Sequence, residues 1–243
     1  MHNEYDNEKF FDEYAKMPRS KGGLEFAGEW HQLKPLFPEL AGKEVLDLGC
    51  GYGWHCGFSV EKGAKQVLGI DASRKMIEEA ERRNAGEGIT YRICRIEEYE
   101  YPENRWDCVI SNLVLHYIGD IEQIFQKVYR TLKPKGVFIF NIEHPVFTAG
   151  VGQDWVYTKD GKPQFWPIDN YFLPGSRTTH FLGCDVVKHH HTLTQILMGL
   201  LNNGFLLNAV KEARPPEEMM EIPGMKDELR RPMMLLVKAS VKK

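Results

Sequence analysis

The chain has no apolar run long enough to span a bilayer, and its polar start, Met1-His2-Asn3-Glu4, lacks the hydrophobic centre of a secretion signal. It has no Cys-x-x-Cys pair: the five cysteines, at 50, 56, 94, 108 and 184, stand singly, most of them in apolar, strand-like stretches. That spacing argues against a disulfide framework and for reduced, buried thiols in a cytoplasmic protein. It has no excess of either charge, with 31 Lys and Arg against 34 Asp and Glu, and no basic stripe. Neither nucleic acid nor a membrane is therefore an expected partner. Internal repeats and low-complexity tracts are also missing. What remains is an ordinary soluble balance, 42% hydrophobic and 27% charged over 243 residues, enough for one domain with a substantial core.

The organising stretch is Glu44-Val45-Leu46-Asp47-Leu48-Gly49-Cys50-Gly51-Tyr52-Gly53. An apolar strand runs into three glycines, and a helical stretch over 54–62 follows. Such a corner, where the backbone turns sharply and a ligand can come close, is where doubly wound α/β sheets bind nucleotides. The dinucleotide fingerprint Gly-x-Gly-x-x-Gly fails at its last position, which Trp54 occupies. Asp71 comes twenty residues after Gly51 and ends the apolar stretch 66–70. A carboxylate there can take both ribose hydroxyls, although an Asp in that place, taken alone, also reads as a helix cap.

The pattern V-L-D-L-G-C-G-Y-G resembles motif I of the class I S-adenosylmethionine-dependent methyltransferases, in their small-molecule, ubiquinone-type branch. The resemblance implies an α/β, Rossmann-like doubly wound sheet of seven strands, order 3-2-1-4-5-7-6, with an antiparallel last strand. It implies S-adenosyl-L-methionine as cofactor, S-adenosyl-L-homocysteine as product, and methyl transfer to an O, N or C atom of a small-molecule acceptor. Adenosylmethionine has no pyrophosphate but has an ammonium group, which Asp47 suits. The implied cofactor site comprises Tyr14, Arg19, Asp47, Gly49, Cys50, Gly51, Gly53, Asp71, Ala72, Met76, Ile96, Glu97, Ser111, Asn112 and Leu113. Arg19 would meet the cofactor carboxylate. Because Arg95 stands where relatives often carry an Asp, a carboxylate contact to the adenine must come from Glu97 or be absent.

Residues 1–243 read as a single domain. Residues 1–40 make an N-terminal helical cap, with Phe10, Phe11, Tyr14 and Met17 at helical spacing. Strands are expected near 66–70, 90–94, 107–112, 137–142, 205–211 and 233–240, with capping patterns at Asp120/Gln123 and Thr192/Gln195. From 146 to 185 the helix–strand rhythm stops, and this insertion reads as a substrate cap. Trp155, Trp166, Tyr171 and Phe172 would give its pocket apolar walls, with Asp169, Arg177 and His144 as polar groups.

A base is required only if the acceptor must lose a proton. The candidates near the expected mouth are His144, His116, Glu143 and His191, with His144 favoured because it ends a central strand. Glu143 either orients it or points the other way, since strand neighbours face opposite sides. The triplet His189-His190-His191 lacks the further ligands that a zinc site needs, so no metal is expected. A nicotinamide-dependent oxidoreductase is disfavoured by Trp54. A non-catalytic cofactor-binding scaffold is disfavoured by the intact Asp47, glycine loop and Asp71.

Overall fold

A computed structural model describes residues 4–243, the Val151 side chain excepted. Three short helices, α1 (Glu8–Lys16), α2 (Pro18–Gly22) and α3 (Trp30–Leu33), precede an alternation of strands and helices: β1 (Glu44–Leu48), α4 (Trp54–Glu61), β2 (Gln66–Asp71), α5 (Arg74–Arg83), β3 (Ile89–Ile93), β4 (Trp106–Asn112), α6 (Ile121–Thr131) and β5 (Leu132–Glu143). Local chemistry starts these helices. Asn7, Ser73 and Asp120 each accept a hydrogen bond from the backbone three residues on, at 3.3, 3.2 and 2.9 Å. After α7 (Pro145–Thr148) and the strands β6 (Val156–Tyr157), β7 (Pro163–Phe165), β8 (Gly175–Phe181) and β9 (Cys184–His190) come α8 (Leu193–Asn202), β10 (Phe205–Glu212) and β11 (Met234–Val241). Thr192 and Gln195 close the expected capping box on α8.

The main sheet has seven strands in the order β10-β11-β5-β4-β1-β2-β3, with β11 antiparallel to both neighbours. This is the order 3-2-1-4-5-7-6 in sheet terms. Each face has its own core. Phe125, Phe138, Phe140, Leu200 and Phe205 pack on the α6/α8 side, and Trp30, Leu33, Val45, Cys108 and Ile139 on the other. The period of two that puts Ile139 on this second face continues to Asn141 and Glu143 at the carboxyl end of β5. Among the described residues no helix is long and apolar enough to cross a membrane.

Residues 146–185 depart from expectation. They are not irregular but carry two antiparallel pairs, β6–β7 and the longer β8–β9, whose ladder runs from Gly175↔His190 to Phe181↔Cys184. Nor do the four aromatics wall one pocket. Trp166 stacks on Phe147 and meets Trp155 edge-on, and the buried Arg231 guanidinium lies 4.3 Å from the Trp166 ring centre and 4.7 Å from that of Phe147. These rings form a satellite core around a cation. Phe172 is 85% exposed, while the Tyr171 hydroxyl accepts from Leu193 N at 3.2 Å. Asp169 and Arg177 line a separate small cavity with Thr178 and Thr179.

Candidate active site

The glycine loop is built by backbone bonds from β2. Gly49 N and Cys50 N both donate to Ile70 O, at 2.8 and 2.9 Å. Gly49 and Gly51 have φ of +74° and +51°, in the left-handed region that only glycine enters freely. Their surroundings differ. A Cβ on Gly49 would overlap Val114 Cγ2, whereas a Cβ on Gly51 would meet nothing within 4 Å. The space above Gly51 is thus open although the loop around it is buried. Gly51→Ala is expected to cost about 1–2 kcal/mol of stability, from the left-handed backbone alone, yet to abolish most adenosylhomocysteine binding by filling that space. Gly49→Ala adds the overlap, about 1–3 kcal/mol more. Denaturant midpoints and calorimetry check both; equal stability losses with intact binding would contradict this account.

Two carboxylates flank the loop, Asp47 buried and Asp71 half-buried. Asp71 accepts from Gly51 N at 3.0 Å and Ser73 N at 2.8 Å. Burial raises its carboxyl to about 6 against these lowering bonds. Asp47, beside Gly69 and Ile110 in the sheet, accepts from the Cys56 thiol through Oδ2 at 3.4 Å. Its Oδ1 has no partner among the described residues. Burial raises it to about 7, the Cys56 bond opposing and Asp71 adding. A buried carboxylate with an idle oxygen is costly unless a donor arrives. Trp54 Nε1, His55 Nε2 and Asn141 Oδ1 are likewise buried without partners among the described residues.

The N-terminal segment reaches this edge. Arg19 pairs with the buried Glu29 at 2.7 Å, Glu29 accepts from Asn141 Nδ2 at 3.3 Å, and Tyr14 meets the Tyr52 ring edge-on. Asp6 accepts from Ser73 Oγ and Lys75 N, and the Tyr5 and Tyr117 hydroxyls are 3.0 Å apart. Tyr5, Asp6 and Glu29 were not foreseen; their partners lie far away in sequence. At the end of β4, Ser111 Oγ donates to Leu48 O at 3.1 Å and Asn112 Oδ1 accepts from Asn141 at 3.0 Å. Leu113 takes φ +56° while its N–H donates to Asn141 O, a strained backbone of the kind found at working sites. Met76 and Ile96 are buried, and Cys50 is buried within the loop. Ala72 precedes Ser73, the cap of α5, and Gly53 is the N-cap of α4 with φ +76°. The Glu97 carboxylate is held by Arg95 Nη2 at 2.9 Å and is about one-third exposed.

The acid–base candidates separate into two groups. Glu143 and His116 come together: His116 Nε2 is 3.8 Å from Glu143 Oε1. The same oxygen takes Lys188 Nζ at 2.5 Å, and Gln153 bonds both Lys188 (3.0 Å) and Glu143 Oε2 (3.1 Å). Burial pushes His116 down to about 4; Glu143 opposes this, and Lys188 and His191 add to it. Burial would raise Glu143, but the facing His116 and Lys188, with donors from Lys188 and Gln153, hold it below the usual carboxylate range. The favoured His144 is not in this cluster. Its Nδ1 accepts from Val146 N at 3.1 Å, capping α7, and Glu212 lies 3.2 Å from Nε2. The strand alternation that turns Glu143 to one side turns its neighbour to the other. His191 is tied to Ile118 O at 2.8 Å, and His190 to Thr148 and Tyr171 O, so the triplet does not converge. Lys188 went unforeseen because a lysine just past the Gly- and Pro-rich insertion reads as surface; the alternation Val186, Lys188, His190 in β9 was the available signal.

Comparisons with known proteins agree with this geometry. The family pattern described as a methyltransferase domain matches residues 46–140. An assigned S-adenosylmethionine-dependent methyltransferase from Listeria monocytogenes is 48% identical, with a TM-score of 0.87 over 91% of this chain and all of its own. One from Mesorhizobium loti is 39% identical, with a TM-score of 0.82 over 90% of this chain and all of its own. An uncharacterized Haemophilus influenzae protein is 28% identical over 97% of this chain and 95% of its own length. The oxidoreductase and scaffold readings find no support among these. With the glycine corner, its two carboxylates and whole-length likeness in agreement, the chain belongs to the S-adenosylmethionine-dependent methyltransferases.

Proposed function

We propose that this methyltransferase, of the general class EC 2.1.1.-, acts on an O, N or C atom of a small molecule bound beside His116 and Glu143, in the cytoplasm. The observation that carries the acceptor's position is the buried His116–Glu143–Lys188 cluster at the carboxyl end of β5, the sheet edge at which α/β folds bind ligands. When bound, adenosylmethionine supplies a methyl group on a sulfonium. Asp47 takes the ammonium, Asp71 the ribose hydroxyls, and Arg19, steadied by Glu29, the carboxylate. Tyr14, Met76 and the Ile96 backbone border the cofactor; Glu97 reaches the adenine only by leaving Arg95. Residues 1–40 cover the cofactor, and residues 146–185 cover the acceptor through β8 and β9 rather than through their aromatics. The chain's part in the reaction is alignment and exclusion of water, which supply much of the rate in a displacement with a good leaving group. His116, neutral because it is buried, receives a proton where the acceptor has one to lose. The free cysteines, three of them buried, support a reducing compartment.

Incubation with methyl-labelled adenosylmethionine and the small-molecule fraction of a cell extract is expected to label one low-mass compound. Calorimetry is expected to show adenosylhomocysteine binding and no NAD binding. Label appearing only in protein or nucleic acid, or NAD binding without a response to adenosylhomocysteine, would overturn the reading.

A further inference from the structure

We infer that Lys188 and Gln153 are positioning residues that hold Glu143 ionised against the His116 ring, leaving His116 Nδ1 to take a proton from the acceptor, so that the acceptor is one that must lose a proton on methylation. This deepens the methyl-transfer reading and rests on it.

The geometry is a closed ring of contacts. Lys188 Nζ holds Glu143 Oε1 and Gln153 Oε1, and Gln153 Nε2 returns to Glu143 Oε2. Lys188 is 3% and Glu143 8% exposed. A buried ion pair of this kind gives little net stability compared with apolar side chains of the same volume, so its presence at the ligand edge calls for another reason. His116 provides one. Its Nε2 faces Glu143 Oε1 at 3.8 Å, and its Nδ1 is buried with no partner among the described residues. At 3.8 Å the carboxylate makes no hydrogen bond to Nε2, but its charge favours the tautomer with the proton on Nε2 and the lone pair on Nδ1.

Lys188 decides whether that lone pair is available. The charged and titratable groups around His116 are Glu143 from β5, Lys188 from β9, His191 just beyond β9, and the neighbouring Tyr117, whose hydroxyl meets Tyr5. Glu143 is the only anion among these. Without Lys188, Glu143 would draw a second proton onto His116, and an imidazolium accepts none. With Lys188 in place the carboxylate charge is met, and the ring stays neutral.

The step balances. The acceptor X–H gives its electron pair to the new X–C bond as the C–S bond breaks, and the C–S bonding pair leaves on sulfur. The proton passes to His116 Nδ1, so the positive charge of the sulfonium ends on the imidazolium and then returns to solvent. Hydroxyls, primary and secondary amines and acidic C–H groups fit; a thioether or a tertiary amine, whose nucleophilic form has no proton to lose, does not.

The test measures the His116 titration by histidine-selective NMR and the pH profile of kcat/KM, in wild type, Lys188→Met, Lys188→Arg and Gln153→Leu. In Lys188→Met the His116 midpoint should rise by about one pH unit or more, the span of a nearby-charge effect. The acidic limb of kcat/KM should rise with it, and the rate should recover at high pH. Lys188→Arg should titrate like wild type, and Gln153→Leu should shift the same way by less. An unmoved His116 midpoint in folded Lys188→Met and Gln153→Leu, or a loss of rate that is uniform across pH, overturns the inference. Failure of wild type to bind adenosylhomocysteine would instead overturn the methyl-transfer reading, and the NMR titration reads the Lys188 effect in either case.

Discussion

Asp47→Asn is expected to raise the melting temperature of the ligand-free protein at pH 8 by roughly 4–8 °C while weakening adenosylhomocysteine binding about 10- to 100-fold. Burial raises the Asp47 carboxyl from its ordinary 3.8 to about 7, so the folded chain holds this proton more tightly than the unfolded chain does. Stability contributed here is therefore lost as pH rises from about 4 through about 7. Above that window the folded state carries a buried carboxylate with an idle oxygen. Asparagine removes the charge, keeps an acceptor for Cys56, and gives back roughly 2 kcal/mol of a penalty that could reach twice that. It also removes the partner of the cofactor's ammonium. In wild type, affinity for adenosylhomocysteine should fall as pH drops below about 7, because ligand and proton compete for one oxygen; in the variant this part of the pH dependence should vanish. A lower melting temperature together with unchanged affinity would show that Asp47 is structural.

Glu143→Leu is expected to cost about 3–5 kcal/mol, because it leaves the Lys188 ammonium buried without a counter-ion. Lys188→Met should cost less, since His116, 3.8 Å away, can take a proton and become the new partner of Glu143. The double variant Glu143→Leu/Lys188→Met should lie within about 1 kcal/mol of wild type, as apolar replacements of whole buried pairs commonly do. Urea denaturation of the three variants closes a double-mutant cycle. Additive losses would mean that the two side chains do not act as a pair, and a double variant as unstable as Glu143→Leu would mean that the site needs polar contents to fold.

The parts of this molecule that are legible in the sequence are those set by short-range rules. Val45 to Gly53 form a strand and a left-handed turn because of their own types and spacing, and Asp71 follows at the end of the next parallel strand, which fixes its place beside Gly51. Ser73, Asp120 and Thr192 start helices through bonds that span only three residues. The methyltransferase-domain pattern matches that same part of the chain, residues 46–140. The acceptor side obeys no such rule. His144 lies one residue past the end of β5, where its ring caps α7 and faces Glu212, and Glu143 is claimed instead by Lys188, 45 positions later. Asp6 reaches Ser73 across 67 positions, and Arg231 is buried only because rings from the insertion close around it. A lysine or an arginine reads as surface until its partners are known, since burying a charge is unfavourable without them. Sequence spacing therefore determined the glycine corner and its two carboxylates, and tertiary contacts decided which buried charges meet at the end of β5.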